Sequence, residues 1–225
     1  MDVICQDRLL TVSFKKPQIA LSWAIVGGGR RQAKSIAWYQ VKAEELTPFV
    51  NAKQFLQDRL TQNCLSDAVG MLTSADLDTF IDIRKEQETL SARCIATVDM
   101  SNALRVGDPA KEAVYVSTIN LLCAVSVPLS EEAHLEALSV AAEARTAAVL
   151  EARIESIETA LPATGTGTDC IVVTAPGQET AEEGKIIKYA GKHTALGHLI
   201  GSSVLEAVKR GLEGWKRNPK KEMLA

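Results

Sequence analysis

Short β-rich apolar runs crowd the first 127 residues of this chain, and the long amphipathic helical patterns come only after them. That order constrains the fold more than any other feature. Residues 8–14 and 19–26 alternate Leu, Val, Phe and Ile with polar positions, and Lys15, Lys16 and Pro17 separate them, so the pattern predicts two paired strands. Gly27, Gly28 and Gly29 then predict a turn into a third aromatic and β-branched run at 35–41. Pro48 opens a helical spacing of Phe49, Ala52, Phe55, Leu56 and Leu60. Residues 68–72, 92–98 and 114–127 are apolar runs bounded by polar loops and predict buried strands.

Two long helices follow. Ser130 is an N-cap residue with Glu131 and Glu132 in the first turn, where the helix dipole favours carboxylates. The Ala-, Leu- and Glu-rich stretch behind it predicts a helix to about 158, with Leu135, Leu138, Ala142, Ala148 and Leu150 facing inward and His134 solvated. Pro162 closes that region, and residues 170–174 predict a buried strand. From Thr194 a second helix reaches about 216, with Leu196, Leu199, Ile200, Val204, Leu205, Val208 and Leu212 on its apolar side. The last residues, 218–225, read as a polar tail. Six or seven strands without regular strand–helix alternation predict a single α+β domain over 1–217, with a mixed, largely antiparallel sheet covered by three helices.

Composition narrows the function. The chain has 225 residues, is 46% apolar and carries a formal charge of −3, which suits one folded domain and excludes disorder as its main state. A domain that neutralises phosphates carries a basic surplus, so nucleic acid is not an expected partner. Cys5, Cys64, Cys94, Cys123 and Cys170 are odd in number and lack CxxC spacing, which predicts reduced, buried thiols and a cytoplasmic setting. No export signal or membrane-span-length apolar run is evident, so membrane insertion is not expected.

Three loops carry the residue types that chemistry needs. Gly165, Thr166, Gly167, Thr168 and Asp169 combine close backbone approach with two hydroxyls and a carboxylate just before a strand. Such a loop offers amide N–H groups to an oxyanion, or is simply a tight helix-to-strand turn. It is not a Walker loop, because the strand follows the glycines. Lys192 and His193 precede the cap of the last helix, at the positive end of its dipole, where a neutral imidazole is favoured as a base. His198 lies about 140° further round and does not complete a helical zinc pair. In the third loop, 101–109, Asn102 can donate and accept, and Arg105 and Asp108 form either a local pair or ligand contacts. Asn120, inside an apolar strand, must find partners or face a cavity.

Together, GGG at 27–29, SNALRVGDP at 101–109, STIN at 117–120, TGTGTD at 164–169 and YAGKHTALGHLIG at 189–201 resemble the adenosylcobinamide amidohydrolase family, in order and over nearly the whole chain. The resemblance implies a corrinoid-salvage enzyme that hydrolyses the amide between the aminopropanol arm and the corrin ring of adenosylcobinamide, leaving adenosylcobyric acid. It gives weight to Asn102, Arg105, Asp108, Asn120, Thr166, Thr168, Asp169, Lys192 and His193. The catalytic roles expected for them rest on chemistry: His193 activates water or a threonine hydroxyl, Asp169 orients it, and the 165–168 amides with Asn102 hold the oxyanion. Arg105, Asp108, Asn120, Lys192, Gly165, Gly167 and Gly28 are expected to bind the substrate. Cobalt enters only as part of the corrinoid; no resident cofactor is expected, and the residues do not decide whether a metal is needed. The helical faces leave both a homodimer and a monomer open. A corrinoid-binding protein without hydrolysis and a threonine amidase on another substrate are the alternatives.

Overall fold

The computed structural model describes residues 1–47, 49–110, 117–180 and 186–217. Its frame is an eight-stranded sheet. β1 (Asp2–Gln6) lies on β2 (Leu9–Ser22), which pairs with β3 (Gly29–Gln40), and α1 (Ala52–Gln62) leads to β4 (Val69–Thr73). A hairpin of β5 (Ile81–Gln87) and β6 (Leu90–Val98) follows. Then come the short β7 (Ala103–Leu104), β8 (Ile119–Val125), α2 (Glu131–Ala152), the short β9 (Gly165–Thr166), β10 (Cys170–Pro176) and α3 (Ala195–Arg217). The main sheet runs β4-β3-β2-β10-β8-β6-β5, and only the β10–β8 and β3–β4 pairs are parallel. The predicted class, a mixed and largely antiparallel sheet with three helices, is the one observed.

The predicted pair of strands at 8–14 and 19–26 is instead one long strand, β2. Its register against β3 shifts between Ser13 and Gln18, and Pro17 sits in that irregularity. A bulge spares the ladder the amide hydrogen that proline lacks. α1 begins later than expected: Asn51 caps it by accepting the Gln54 N–H at 3.0 Å, and Phe49 stands outside it, 98% exposed. Pro48 and residues 114–116 of the predicted strand lie outside the described residues, as does the 218–225 tail.

The two edge strands, β4 and β5, are joined by residues 74–80 alone, three of them wound in a 3-10 turn. Seven strands laid flat would hold those edges about 29 Å apart, beyond what that wound connection spans. The sheet therefore curls. Inside the curl pack Leu10, Val12, Ile36, Trp38, Met71, Ile95, Leu122 and Val172. On its outer face α1 covers β3 through Leu56 and Leu60 against Ala37 and Tyr39, while α2 and α3 cover β10, β8 and β6.

α2 is capped as expected, with Ser130 Oγ accepting the Ala133 N–H at 3.1 Å, but it stops at Arg153, which adopts a left-handed conformation. Leu135 and Leu150 are exposed rather than inward. Ala133, Ala137, Ala141, Ala144 and Ala148 form the buried stripe, and small side chains bring the helix close to sheet and α3. His134, expected in solvent, is 2% exposed and its Nε2 lies 3.1 Å from the Val173 carbonyl oxygen. Burial holds its pKa below the ordinary imidazole value, against the opposing carbonyl contact. The predicted apolar side of α3 holds, with Leu205 only partly buried. No helix among the described residues is long and apolar enough to cross a membrane. The five thiols are free; Cys94, Cys123 and Cys170 are buried, but Cys64 is exposed and Cys5 partly so.

Candidate active site

One end of the curled sheet gathers the ends of five strands. Trp23 follows β2, Ser74 follows β4, Asp99 follows β6, Ser117 and Thr118 precede β8, and Thr168 and Asp169 precede β10. Asp169 organises this end. Its Oδ1 accepts the Ile119 N–H at 3.0 Å and the Thr166 hydroxyl at 2.5 Å. Its Oδ2 accepts the Thr166 N–H at 3.0 Å and Arg145 Nη1 at 2.7 Å. The carboxylate is 6% exposed and Arg145 15%, so this is a buried, hydrogen-bonded ion pair between α2 and the loop. Arg145 Nη1 also donates to the Thr164 carbonyl oxygen at 2.7 Å. Gly165 leaves room for the pair, since a Cβ there would stand 2.0 Å from Arg145 Nη1 and 2.2 Å from Asp169 Oδ2.

The 101–109 loop does meet the TGTGTD loop. β7 and β9 form a two-stranded ribbon with Ala103 opposite Thr166. Asn102, buried beside Gly167, donates its backbone N–H to the Ser117 hydroxyl oxygen at 3.1 Å, while its Nδ2 finds no partner among the described residues. Arg105 and Asp108 resolve to local closure rather than to a wall of the cleft. Asp108 accepts the Arg105 N–H, the Ser156 hydroxyl and the Thr159 hydroxyl, and Arg105 Nη1 donates to the Pro162 carbonyl oxygen at 2.7 Å. Chiefly through the Ser156 bond, Asp108 is held below the usual carboxylate range.

Behind the loop Asp99 collects the hydroxyls of Ser74, Ser101 and Ser117, at 2.9, 2.6 and 3.0 Å. Burial pushes this carboxyl up, but the bonds from Ser101, Ser74 and Ser117 outweigh it and its pKa lies below the usual value. Ser117 passes the constraint on, because its carbonyl accepts the Thr168 hydroxyl at 3.0 Å. Asn120 is held at both ends, donating Nδ2 to the Leu72 carbonyl oxygen at 2.6 Å and accepting the Thr118 hydroxyl at 3.0 Å.

A cleft of about 220 Å3 opens here, at the mouth of the curl. Asn120, Thr168 and Asp169 supply its polar side, and Trp23, Ile25, Leu46, Met71 and Leu72 most of its apolar wall. Cys170 also lines it, its thiol pushed up to about 12 chiefly by burial, which leaves no thiolate nucleophile at neutral pH. Of the residues singled out in the sequence, Asn120, Thr168 and Asp169 line the cleft, and Asn102, Gly165, Thr166 and Gly167 stand directly behind them. Gly28 lies in the turn that carries Trp23 and Ile25, where a Cβ would meet the Ala24 carbonyl oxygen at 2.4 Å. Its role there is the turn itself.

Lys192 and His193 are elsewhere, and the expected Asp169–His193 partnership is not formed. Lys192 pairs with Glu143 of α2, and the neighbouring Ala190 N–H donates to Glu136 Oε2 at 2.6 Å. Glu143 and Arg145 are two residues apart on α2 and hence about 200° apart around its axis. The helix thus stands between the Lys192–His193 loop and the cleft. Thr194 caps α3 as expected, its hydroxyl accepting the Gly197 N–H at 2.9 Å. Among the described residues no group of three His, Cys, Asp or Glu is arranged to hold a metal ion. Sequence reasoning missed Trp23, whose indole N–H donates to the Asp169 carbonyl oxygen at 2.6 Å, and Arg145. An exposed indole beside a glycine turn and a lone cation in an alanine-rich stripe were the available signals.

Fold and site together define a mixed α/β protein with an apolar-walled, hydroxyl- and carboxylate-floored cleft at its strand ends. The sequence profile of the adenosylcobinamide amidohydrolase family matches residues 1–220, and the chain belongs to that family. It is 26% identical over 196 residues to the adenosylcobinamide amidohydrolase of Methanosarcina mazei, covering 84% of this chain and 87% of that one. It is 25% identical over 231 residues to an uncharacterized protein of Methanocaldococcus jannaschii, covering 92% and 86%. Among solved structures, the L-aminopeptidase D-Ala-esterase/amidase of Ochrobactrum anthropi aligns over 90% of this chain and 76% of its own, at 11% identity and a TM-score of 0.41.

Proposed function

We propose that this chain hydrolyses the amide joining the aminopropanol arm to the corrin ring of adenosylcobinamide, giving adenosylcobyric acid and the free amino alcohol in corrinoid salvage. The observation that carries this reading is the cleft floor of Asn120, Thr168 and Asp169, formed from the very motifs by which the chain resembles its family. Amide hydrolysis needs an oxygen nucleophile at the carbonyl carbon, donors for the oxyanion and a proton for the leaving amine. In this reading the Thr168 hydroxyl, on the cleft wall, orients a water molecule that adds to the carbonyl carbon, and the proton that water releases passes to the leaving nitrogen as the C–N bond breaks. The Thr166 N–H is already given to Asp169, so the Gly167 and Thr168 amides are the ones offered to the oxyanion, and the Asn102 amide group packs behind Gly167.

Asp169 acts as the anchor of the loop, because four donors already saturate its carboxylate. In this reading His193, whose neighbour Lys192 pairs with Glu143 of α2, is left out of the chemistry. The saturation of Asp169 also favours a second reading, a corrinoid-binding protein without hydrolysis. Incubation with adenosylcobinamide, with and without EDTA, followed by chromatography of the corrinoid separates the two. Adenosylcobyric acid supports the hydrolase, and unchanged ligand overturns it.

A further inference from the structure

The cleft and its rim differ in scale. At about 220 Å3 the cleft is smaller than the roughly 300–1,000 Å3 of pockets that enclose a drug-sized molecule, and a corrin macrocycle is larger than such molecules. Apolar side chains of its wall, and of the chain segment beside it, are left in solvent. Trp23 is 48% exposed and Ile25 is exposed beside it; Phe49 and Val50, both exposed, lie in the segment between the cleft-lining Leu46 and Ala52. Single exposed apolar residues need no explanation, but a group of them around a polar-floored cleft does. Trp23 is moreover tied to the loop, its N–H donating to the Asp169 carbonyl oxygen at 2.6 Å.

We infer that the corrin ring stays outside the cleft, lying against Trp23 and Phe49, and that only the aminopropanol arm enters. The inference rests on the proposed substrate and names the residues that select it. The occupant of the rim is the ring because rim and cleft are continuous, and an arm placed over Thr168 and Asp169 leaves its macrocycle on those side chains. Ring contact is the same before and after the bond breaks, so it contributes to binding rather than to the chemical step. Two consequences follow from this. Adenosylcobyric acid, which lacks the arm, still binds and competes with substrate, whereas a small acyl aminopropanol without a ring is not recognised.

The test combines kinetics with a readout that needs no turnover. With adenosylcobinamide, Phe49→Ala is expected to raise KM about tenfold with kcat within about twofold, the loss of one stacked aromatic contact. Phe49 is solvent-exposed, so its removal leaves the fold intact. Separately, adenosylcobyric acid is expected to quench the tryptophan fluorescence of the wild type, and Trp23→Phe to abolish most of that quench, since Trp38 is buried and Trp215 partly so. Unchanged KM in Phe49→Ala together with an unchanged quench in Trp23→Phe overturns the inference. A wild type that quenches but releases no product overturns the hydrolase reading and leaves the ring on the rim.

Discussion

Arg145 illustrates how one side chain can decide the shape of this site. It is the cation that pairs with the buried Asp169 carboxylate while also tying down the Thr164 carbonyl. Removing one partner of a buried pair strands the other, at a cost of about 3–5 kcal/mol. Urea unfolding of Arg145→Ala should therefore show a loss of that size, and Gly165→Ala should also destabilise by forcing a methyl into the same space. A loss below about 1 kcal/mol in both would mean that the ion pair does not hold the loop. At the same scale, His193→Ala should retain turnover within a few-fold, whereas Thr168→Val should lose about 10²-fold or more. Equal losses would return His193 to the chemistry that the sequence motif alone suggests for it. The residue types at the cleft were legible as a hydroxyl- and carboxylate-bearing glycine loop, but Arg145 was not, because its partner lies 24 residues away across a helix-to-strand crossover that no local pattern reveals.

At the scale of elements, the strand ends act as one hydrogen-bonded unit, and its charge sets a pH dependence. Asp99 has a folded-state pKa below its ordinary value, so the stability it contributes is complete above about pH 5 and is lost as pH falls through the ordinary carboxylate value near ~3.9 and below. His134 on α2 is also depressed. Its contribution is present above ~6.5 and disappears as pH drops from there through the lower folded value. Thermal midpoints measured from pH 7.5 to 3 should fall in two stages. His134→Gln should flatten the upper stage and Asp99→Asn the lower. A wild-type profile level from pH 7.5 to 5 would contradict the burial assigned to His134.

The elements also show where pattern reading succeeds and stops. The Ser130 and Thr194 caps, the run at 170–174 and the heptad-like face of α3 are local signals, and the fold keeps them. On the inward face of α2, Leu138, Ala142 and Ala148 do pack on the core, but Leu135 and Leu150 were misread because leucine marks burial only where there is room. Here alanines make the close contact, and Leu135 and Leu150 are left outside. β5, with charged residues on one face, lacked the apolar run that identified its partner β6. Likewise the two runs of β2 looked like separate strands because a bulge around Pro17 depends on a partner strand that sequence spacing does not show.

Over the whole molecule, the curl forced by the short β4–β5 connection makes the site. It brings Leu72 to Asn120 and Ser74 to Asp99 from strands that are far apart in sheet order. The same curl leaves one end open, where the hydroxyl and carboxylate side chains of the strand ends floor a cleft whose wall carries exposed apolar side chains, a setting suited to a large apolar ligand with one reactive arm. Lys192 pairs with Glu143 on the face of α2 opposite Arg145, the partner of Asp169. The account stands on the amide of adenosylcobinamide being cleaved at this mouth. Chromatography of the corrinoid after incubation with wild type and with Thr168→Val tests it directly. Adenosylcobyric acid from the wild type, slowed about 10²-fold or more in the variant, is the predicted result. An intact corrinoid from the wild type, or equal product from both proteins, would contradict it.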